Sequence, residues 1–359
     1  MPCVSKAVFS RLALLFLCQL AIAGTQAGHL LVDSYGTLLL ISPDGTQHPV
    51  AGGVNQAILS PDGSKLAFTT TSDPKVATSR QKLLIMSVEG GEPEQVTELP
   101  PDAHFGDIGW RPDGHVIAYE AIVQGKSDDL YIAPVPPTKD EPKSLGHWYQ
   151  GFSFSPDGKQ LVHAVNNHPA ESGLEVVDIV DGKRRLLLKS ATIVWDARYS
   201  PNGKYIAYIM TLRQPPPATD EEPDCTPPTL GLWLYSIGQK TSVQIVISAA
   251  PKDWEDVKNF AWSPDSQHIA LTLATPDCDY PGGAAAVFLT DLSQTHQARI
   301  STGEMAFEPA FAPDGSAVAF IDLSSSQAKL MRYSVSSGRL DMIRQAPPES
   351  NYYSLRDWK

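Results

Sequence analysis

The sequence predicts an all-β chain closed into a seven-bladed β-propeller, and three observations carry that prediction. A Ser-Pro-Asp-Gly turn or a close variant recurs six times, an alternating apolar strand follows each copy, and the two chain ends hold the pieces of one further unit. The turns stand at 60–63, 111–114, 155–158, 200–203, 263–266 and 312–315, and the steps between their third residues are 51, 44, 45, 63 and 49. Steps averaging about 50 residues match a propeller blade or kelch-type unit.

Each part of the unit has a mechanical reason. Proline presets φ at the second position of a tight turn, Asp or Asn suits the third, and glycine accepts the left-handed conformation that returns the chain into a strand. Leu59, Trp110, Phe154, Tyr199, Trp262 and Phe311 precede the turns, and alternating stretches such as Lys65–Phe68, Val116–Tyr119 and Tyr205–Tyr208 follow them. That alternation is the pattern of a half-buried strand. A second hairpin comes next, for example Leu174–Val177 with Arg185–Leu187 across Asp181-Gly182. The unit is therefore four antiparallel strands, A-B-C-D, with the Pro-Asp-Gly turn joining A to B.

The leftovers set the blade count. Residues 29–50 read as strands B, C and D without an A, and residues 352–358 read as an A without a turn. Joined, they make a seventh blade and hide edge strands that would otherwise invite aggregation. The alternative is a six-bladed ring with the ends as extra edge strands.

Residues 1–23 are expected to be a signal peptide. Lys6 and Arg11 flank a 12-residue apolar run, Leu12–Ala23, too short to span a bilayer comfortably. Ala21 and Ala23 fit the −3 and −1 positions of a signal-peptidase site. The expected organisation is a signal peptide, 1–23, and one propeller domain, 24–359, in a monomeric protein that is periplasmic or secreted and not membrane-spanning after cleavage. Its 336 residues give 48 per blade. Cys225 and Cys278 lie in matching Pro-Asp-Cys contexts on equivalent loops, and in an exported chain they are expected to form a disulfide. The proline- and acid-rich insertion 215–225 accounts for the 63-residue step and reads as an exposed loop.

The charge balance, 40 acidic against 28 basic residues and a net charge of −12, argues against nucleic-acid binding, because no basic stripe is available to displace phosphate counterions. Propellers bind at the channel mouth, where the A strands begin. Four positions before each turn stand Gln56, Asp107, Gly151, Asp196, Asn259 and Glu308. Equivalent A strands would bring Gln56, Asp107, Asp196, Asn259 and Glu308 into a ring able to hold Ca²⁺ through oxygen ligands or to receive a basic peptide. The nearby aromatics Phe105, Trp148, Tyr149, Trp195, Trp254 and Phe307 either line that mouth or pack between blades. The repeated turn aspartates Asp62, Asp113, Asp157, Asp265 and Asp314 are read as structural.

The Ser-Pro-Asp-Gly turn followed by Leu-Ala-Phe or Ile-Ala-Tyr, behind an export signal, resembles the TolB-like propeller repeats of exported bacterial proteins over roughly residues 29–345. Similar repeats occur in TolB, the tricorn protease, prolyl-oligopeptidase-type peptidases and oligogalacturonate lyase, so the resemblance implies a fold and not an activity. TolB carries an extra α/β domain before its propeller, and only a handful of residues separate the expected signal peptide from the first strand here, so a full TolB role is not expected. No Gly-x-Ser-x-Gly nucleophile elbow occurs in the sequence, which sets dipeptidyl-peptidase chemistry aside at this stage. The resulting expectation is a non-catalytic binding module of the cell envelope with a protein or glycan partner and no cofactor beyond Ca²⁺. The alternative is a lyase or glycosidase at the channel mouth, drawing on His104, His147 and His296 or on the carboxyl pair Asp107 and Glu308.

Overall fold

In the computed structural model the Pro-Asp-Gly turns form as the sequence predicts. The residues described are 28–34, 37–42, 45–71, 80–123, 128–147, 151–166, 172–213, 229–252, 254–275, 284–346 and 354–359. In every turn the fourth residue donates its backbone N–H to the first residue's carbonyl at 2.8–2.9 Å, from Gly63 to Ser60 through Gly315 to Ala312. That fourth residue has φ between 61° and 73° in all six copies, including Ser266 at 61°, where the motif lacks its glycine. The turn carboxylate is used locally. Ser60 Oγ donates to Asp62 Oδ1 at 2.6 Å while Ser64 N donates to the same oxygen at 3.0 Å. Blade 3 repeats both bonds through Ser155, Asp157 and Lys159. The structural reading of these aspartates holds.

Twenty-eight strands among the described residues make seven four-stranded antiparallel sheets. The first three, β1 (Leu30–Ser34), β2 (Thr37–Ile41) and β3 (Gln47–Gly52), belong to blade 7. Blade 1 is β4 (Val54–Leu59), β5 (Lys65–Thr71), β6 (Gln81–Ser87) and β7 (Glu94–Glu98). Blade 2 is β8 (Ala103–Trp110), β9 (Val116–Val123), β10 (Asp129–Pro134) and β11 (Lys143–His147). Blade 3 is β12 (Phe152–Phe154), β13 (Gln160–Asn166), β14 (Ser172–Asp178) and β15 (Arg184–Ser190). Blade 4 is β16 (Val194–Tyr199), β17 (Tyr205–Arg213), β18 (Thr229–Ser236) and β19 (Thr241–Ile245). Blade 5 is β20 (Asp256–Trp262), β21 (His268–Ala274), β22 (Ala285–Asp291) and β23 (Gln297–Arg299). Blade 6 is β24 (Ala306–Phe311), β25 (Ala317–Asp322), β26 (Lys329–Ser334) and β27 (Leu340–Gln345), and β28 (Ser354–Trp358) completes blade 7 as its A strand.

The ring closes as a seven-bladed propeller. Strand β28 lies antiparallel to β1, with Leu30 opposite Trp358 and Asp33 opposite Ser354. Lys359 N donates to His29 O at 3.0 Å, the bond that Ser60 N makes to Lys65 O in an ordinary turn, so the two chain ends occupy the place of a seventh A–B turn.

Apolar side chains fill every seam. Leu31, Leu38 and Leu40 of blade 7 meet Leu59, Leu66 and Phe68 of blade 1. Leu83 and Ile85 of blade 1 meet Phe105, Ile117 and Tyr119 of blade 2. Comparable clusters join blades 2 and 3, 3 and 4, 4 and 5, 5 and 6, and 6 and 7. A blade cannot bury both faces alone, so the closed ring is the unit that removes this surface from water. The expected signal peptide 1–23, Cys225 and Cys278 with their expected disulfide, and the insertion 215–225 lie outside the described residues.

Candidate functional site

The seven inner strands enclose an axial cavity of about 880 Å³. Its wall is built from the second half of each A strand and the prolines of the turns, among them Pro61, Pro112, Pro156, Pro201, Pro264 and Pro313. Arg198, Asn259, Glu308 and Arg356 are the polar side chains in that wall that bear on the ring expected from the sequence.

The ring positions share one backbone device. Five A strands slip register against their B strands near them: between Val54 and Gln56, Phe105 and Ile108, Trp195 and Arg198, Val257 and Asn259, and Phe307 and Ala310. A β-bulge turns the extra residue out of the ladder and re-aims its side chain. Asp196 and Glu308 adopt φ of 35° and 58° there, and Gly151, at the same place in blade 3, has φ of 78°. Left-handed backbone in a non-glycine residue persists where surrounding contacts hold it.

Those contacts differ from blade to blade. On one side of the axis Asp107, Gly151 and Asp196 meet. A β-carbon added to Gly151 would lie 3.5 Å from Asp196 Cα and 3.7 Å from Asp107 Oδ2. Asp196 is held by Arg198 through two bonds, at 2.8 and 2.7 Å. Arg198 also donates to Phe260 O of blade 5 at 2.9 Å and stacks over the Phe260 ring at 5.0 Å. This fork ties blade 4 to blade 5 and keeps its cation on the channel wall.

Asp107 is exposed to solvent yet closely surrounded by protein, and burial together with the neighbouring Asp196 charge raises its pKa, with Arg198 opposing. Below it sits Glu120 on β9, only 3% exposed. One of its oxygens accepts from Asp107 N at 3.1 Å and the other from Gly151 N at 3.0 Å. Burial first, and then the Asp107 charge, push its pKa up to about 8 against the pull of those two amides.

On the far side Glu308 is committed to closure. It accepts from Leu355 N at 2.7 Å and from Ser354 Oγ at 3.0 Å, pinning β28 to blade 6. Arg356 beside it donates to Asp33 Oδ2 at 3.0 Å. Gln56 is fixed through its own amide, which donates to Thr69 Oγ1 at 3.2 Å. Asn259 and its register partner Thr272 each carry a buried side-chain oxygen without a hydrogen-bond partner among the described residues.

The expected ring of interchangeable donors is thus a set with separate tasks: an acid cluster at Asp107, an ion pair at Asp196, a strand pin at Glu308, and amides at Gln56 and Asn259. Among the described residues no three His, Cys, Asp or Glu side chains converge in a way that can hold a metal ion. His147 and His296 pair instead with Asp129 at 3.6 Å and Asp291 at 2.8 Å, in blades 2 and 5. Phe105, Trp254 and Phe307 are buried in seams or among neighbouring side chains. Trp148 and Tyr149 lie outside the described residues.

Two functional-site residues went unread in the sequence, Glu120 and Arg198. The signal was present. Nine positions after each turn begins, Glu120 stands where the other blades carry Thr69, Ala164, Ile209, Thr272 and Ile321. Two positions before each turn, Arg198 stands where they carry Ile58, Gly109, Ser153, Ala261 and Ala310.

No protein-family model matches the chain. It is 25% identical over 380 residues to dipeptidyl-peptidase 5 of Porphyromonas gingivalis, covering 98% of this chain and 50% of that protein. It is 29% identical over 163 residues to the uncharacterized peptidase YuxL of Bacillus subtilis, covering 43% of this chain and 21% of that one. Among solved structures, TolB from Acinetobacter baumannii superposes with a TM-score of 0.53 at 18% identity, over 89% of this chain and 79% of its own. That likeness shows the shared propeller fold. The chain spans about half the length of the first relative and about a fifth of the second.

These relatives correct the expectation of a non-catalytic binding module, and with it the view that the chain is not an enzyme: both are named peptidases. They equally turn the reading away from a polysaccharide lyase or glycosidase. Setting dipeptidyl-peptidase chemistry aside for want of a Gly-x-Ser-x-Gly elbow was unsound, because half of the Porphyromonas enzyme lies beyond the stretch compared.

Proposed function

We propose that this chain is the propeller part of a peptidase and that its axial cavity receives the peptide substrate. The observation that carries the reading is the similarity to dipeptidyl-peptidase 5 along 98% of the chain. The cavity supports it. At about 880 Å³ it is the size of a site for a short extended peptide. Its wall consists of inner strands whose free edges offer backbone N–H and C=O groups, the partners an extended peptide uses. Asp107, one residue before the cavity-lining Ile108, offers a carboxylate to a peptide amine or basic side chain reaching past the cavity wall, while the guanidinium of Arg198 is already engaged by Asp196 and the Phe260 carbonyl. The nucleophile for hydrolysis lies outside these 359 residues on this reading, since they hold no Gly-x-Ser-x-Gly elbow. An export route to the periplasm or beyond, as the leading 23 residues suggest, would give the enzyme environmental peptides as substrates.

The test pairs hydrolysis with binding. Short peptides with free amino termini, and dipeptidyl p-nitroanilides, are incubated with the protein and followed by mass spectrometry and absorbance, and binding of the same peptides is followed by calorimetry. The reading expects peptide binding that weakens at least about tenfold in Asp107→Asn, the loss of one charge-assisted contact. Peptides that fail to bind, or cleavage by these 359 residues alone, would refute it.

A further inference from the structure

We propose that Gln294 and Gln297 form a clasp standing in for a strand at the outer edge of blade 4, and that the edge beneath it is a docking site for a second copy of this chain, held closed. The geometry is that of a β-ladder. Strand β19 runs beside β18 as far as Ile245, opposite Leu232. From Gln244 onward, backbone groups on its other edge pair with two side chains of blade 5. Val246 N donates to Gln294 Oε1 at 2.9 Å, and Gln294 Nε2 donates to Gln244 O at 3.0 Å. Ser248 N donates to Gln297 Oε1 at 2.9 Å, and Gln297 Nε2 donates to Val246 O at 2.7 Å. Residues 244, 246 and 248 alternate, so these are the groups that one edge of an extended strand presents. A carboxamide carries an acceptor and donors together, and so reproduces what a neighbouring strand would offer. The edge of blade 2 is covered differently. There Arg184 Nη2 donates to Leu145 O and His147 O at 2.7 Å each, and a guanidinium can serve carbonyls only.

Two further observations single out this edge. Residues 241–248 read Thr-Ser-Val-Gln-Ile-Val-Ile-Ser, with five β-branched residues, no charge, no proline and no glycine. That is the composition of a segment that pairs readily with another strand, and an open sheet edge is where such pairing starts. Val243 and Val246 are 46% and 52% exposed, while Ile245 and Ile247 are buried. The clasp itself carries backbone strain. Gln294 holds the left-handed conformation, φ 61°, in the hairpin between β22 and β23, where the corresponding hairpins of blades 3 and 6 use Gly182 and Gly338 at 71° and 68°. A non-glycine residue stays in that conformation where its contacts hold it, and the contacts here are those on Gln244 and Val246. The occupant follows from the pairing rule. A residue that presents both its N–H and its C=O on one edge can pair antiparallel with its own copy. Val246 presents both, which places a two-fold axis there and sets Gln244 opposite Ser248 of the second copy.

The double variant Gln294→Ala/Gln297→Ala frees the edge. Sedimentation velocity across a concentration series should show it shifting to a species of twice the mass, beyond any association of the wild-type chain. Adding Val246→Lys should restore the monomer, because two lysines would then face each other across the axis. Amide hydrogen exchange reads the clasp in the wild-type protein. Exchange at Val246 and Ser248 should be at least about tenfold slower than the intrinsic rate, the worth of one hydrogen bond. In dilute Gln294→Gly, which suits the left-handed turn, that protection should be lost at Val246 and kept at Ser248. Exchange at the intrinsic rate in the wild-type protein, unchanged protection of Val246 in Gln294→Gly, a double variant that associates no more than wild type, or association that persists with Val246→Lys would each overturn the proposal. The exchange results stand even where the double variant does not fold.

Discussion

Replacing Trp358 by alanine tests the closure of the ring. Trp358 is 2% exposed and packs at the seam of blades 6 and 7 with Leu30, Val32, Ala312, Ala317 and Leu330. A buried tryptophan removes about 200 Å² from water, worth about 5 kcal/mol at ~25 cal/mol per Å². Alanine retains a small part of that, and relaxation around the hole recovers more, so the expected loss is about 3–5 kcal/mol. Set against a whole-domain stability of about 5–15 kcal/mol, this one side chain accounts for a large fraction. The neighbouring bonds do not compensate, because Glu308 to Leu355 N and Leu59 N to Asp357 Oδ2 grip β28 itself and release with it. Urea unfolding followed by tryptophan fluorescence and circular dichroism gives the loss. Arg339→Ala, which removes an exposed pair with Asp341, serves as a control and should change little. A Trp358→Ala loss below about 1 kcal/mol, or no larger than the control, would refute the view that β28 closes the ring by burial.

Three further outcomes are expected. Gly151→Ala should destabilise by about 1–2 kcal/mol in thermal or urea unfolding, because an alanine must take the left-handed conformation that glycine holds at φ 78°. Arg198→Gln should raise the pKa of Asp107 further, since the guanidinium is the charge that lowers it; carboxyl chemical shifts followed by NMR against pH measure this. Asp62, whose carboxyl is held down at about 2 by the Ser60 hydroxyl and the Ser64 amide and hydroxyl, contributes stability that is present above the ordinary carboxylate pKa and is lost as pH falls through about 2. Asp62→Asn should therefore lower the plateau at neutral pH and shrink the acid limb of the stability profile between about pH 4 and pH 2, and both effects should be small because the turn is exposed.

The architecture was readable because its determinants are local and repeated. A proline, an acid and a glycine in fixed order make the same turn wherever they occur, and the partial units at 29–50 and 352–358 could be matched by counting strands. The site was readable only to the extent that it follows the repeat. Counting back four residues found the bulge positions, since the register slip recurs with the turn. What occupies each bulge then depends on particular partners, within a blade for Arg198 on Asp196 and Glu120 on Asp107, and between blades for Glu120 on Gly151 and for Ser354 and Leu355 on Glu308. Those pairings join residues 2 to 47 positions apart and follow no period. The activity was misread for a different reason. The turn and strand pattern reports how a blade folds, and propellers with different chemistries share it, so it carries no information about the reaction.

The meeting of His29 with Lys359 has an engineering consequence. Chain that continues past Lys359 leaves beside Gly28 and His29, between the turns of blades 1 and 6, where Gly63 and Pro313 flank them. A permuted gene that linked the extremities by a short covalent bridge and opened instead at the Asp181-Gly182 hairpin would replace hydrogen bonds by a peptide at the ring's natural break. The seam most prone to peel would then be mended, and the new loose ends would lie on an outer hairpin where peeling costs far less.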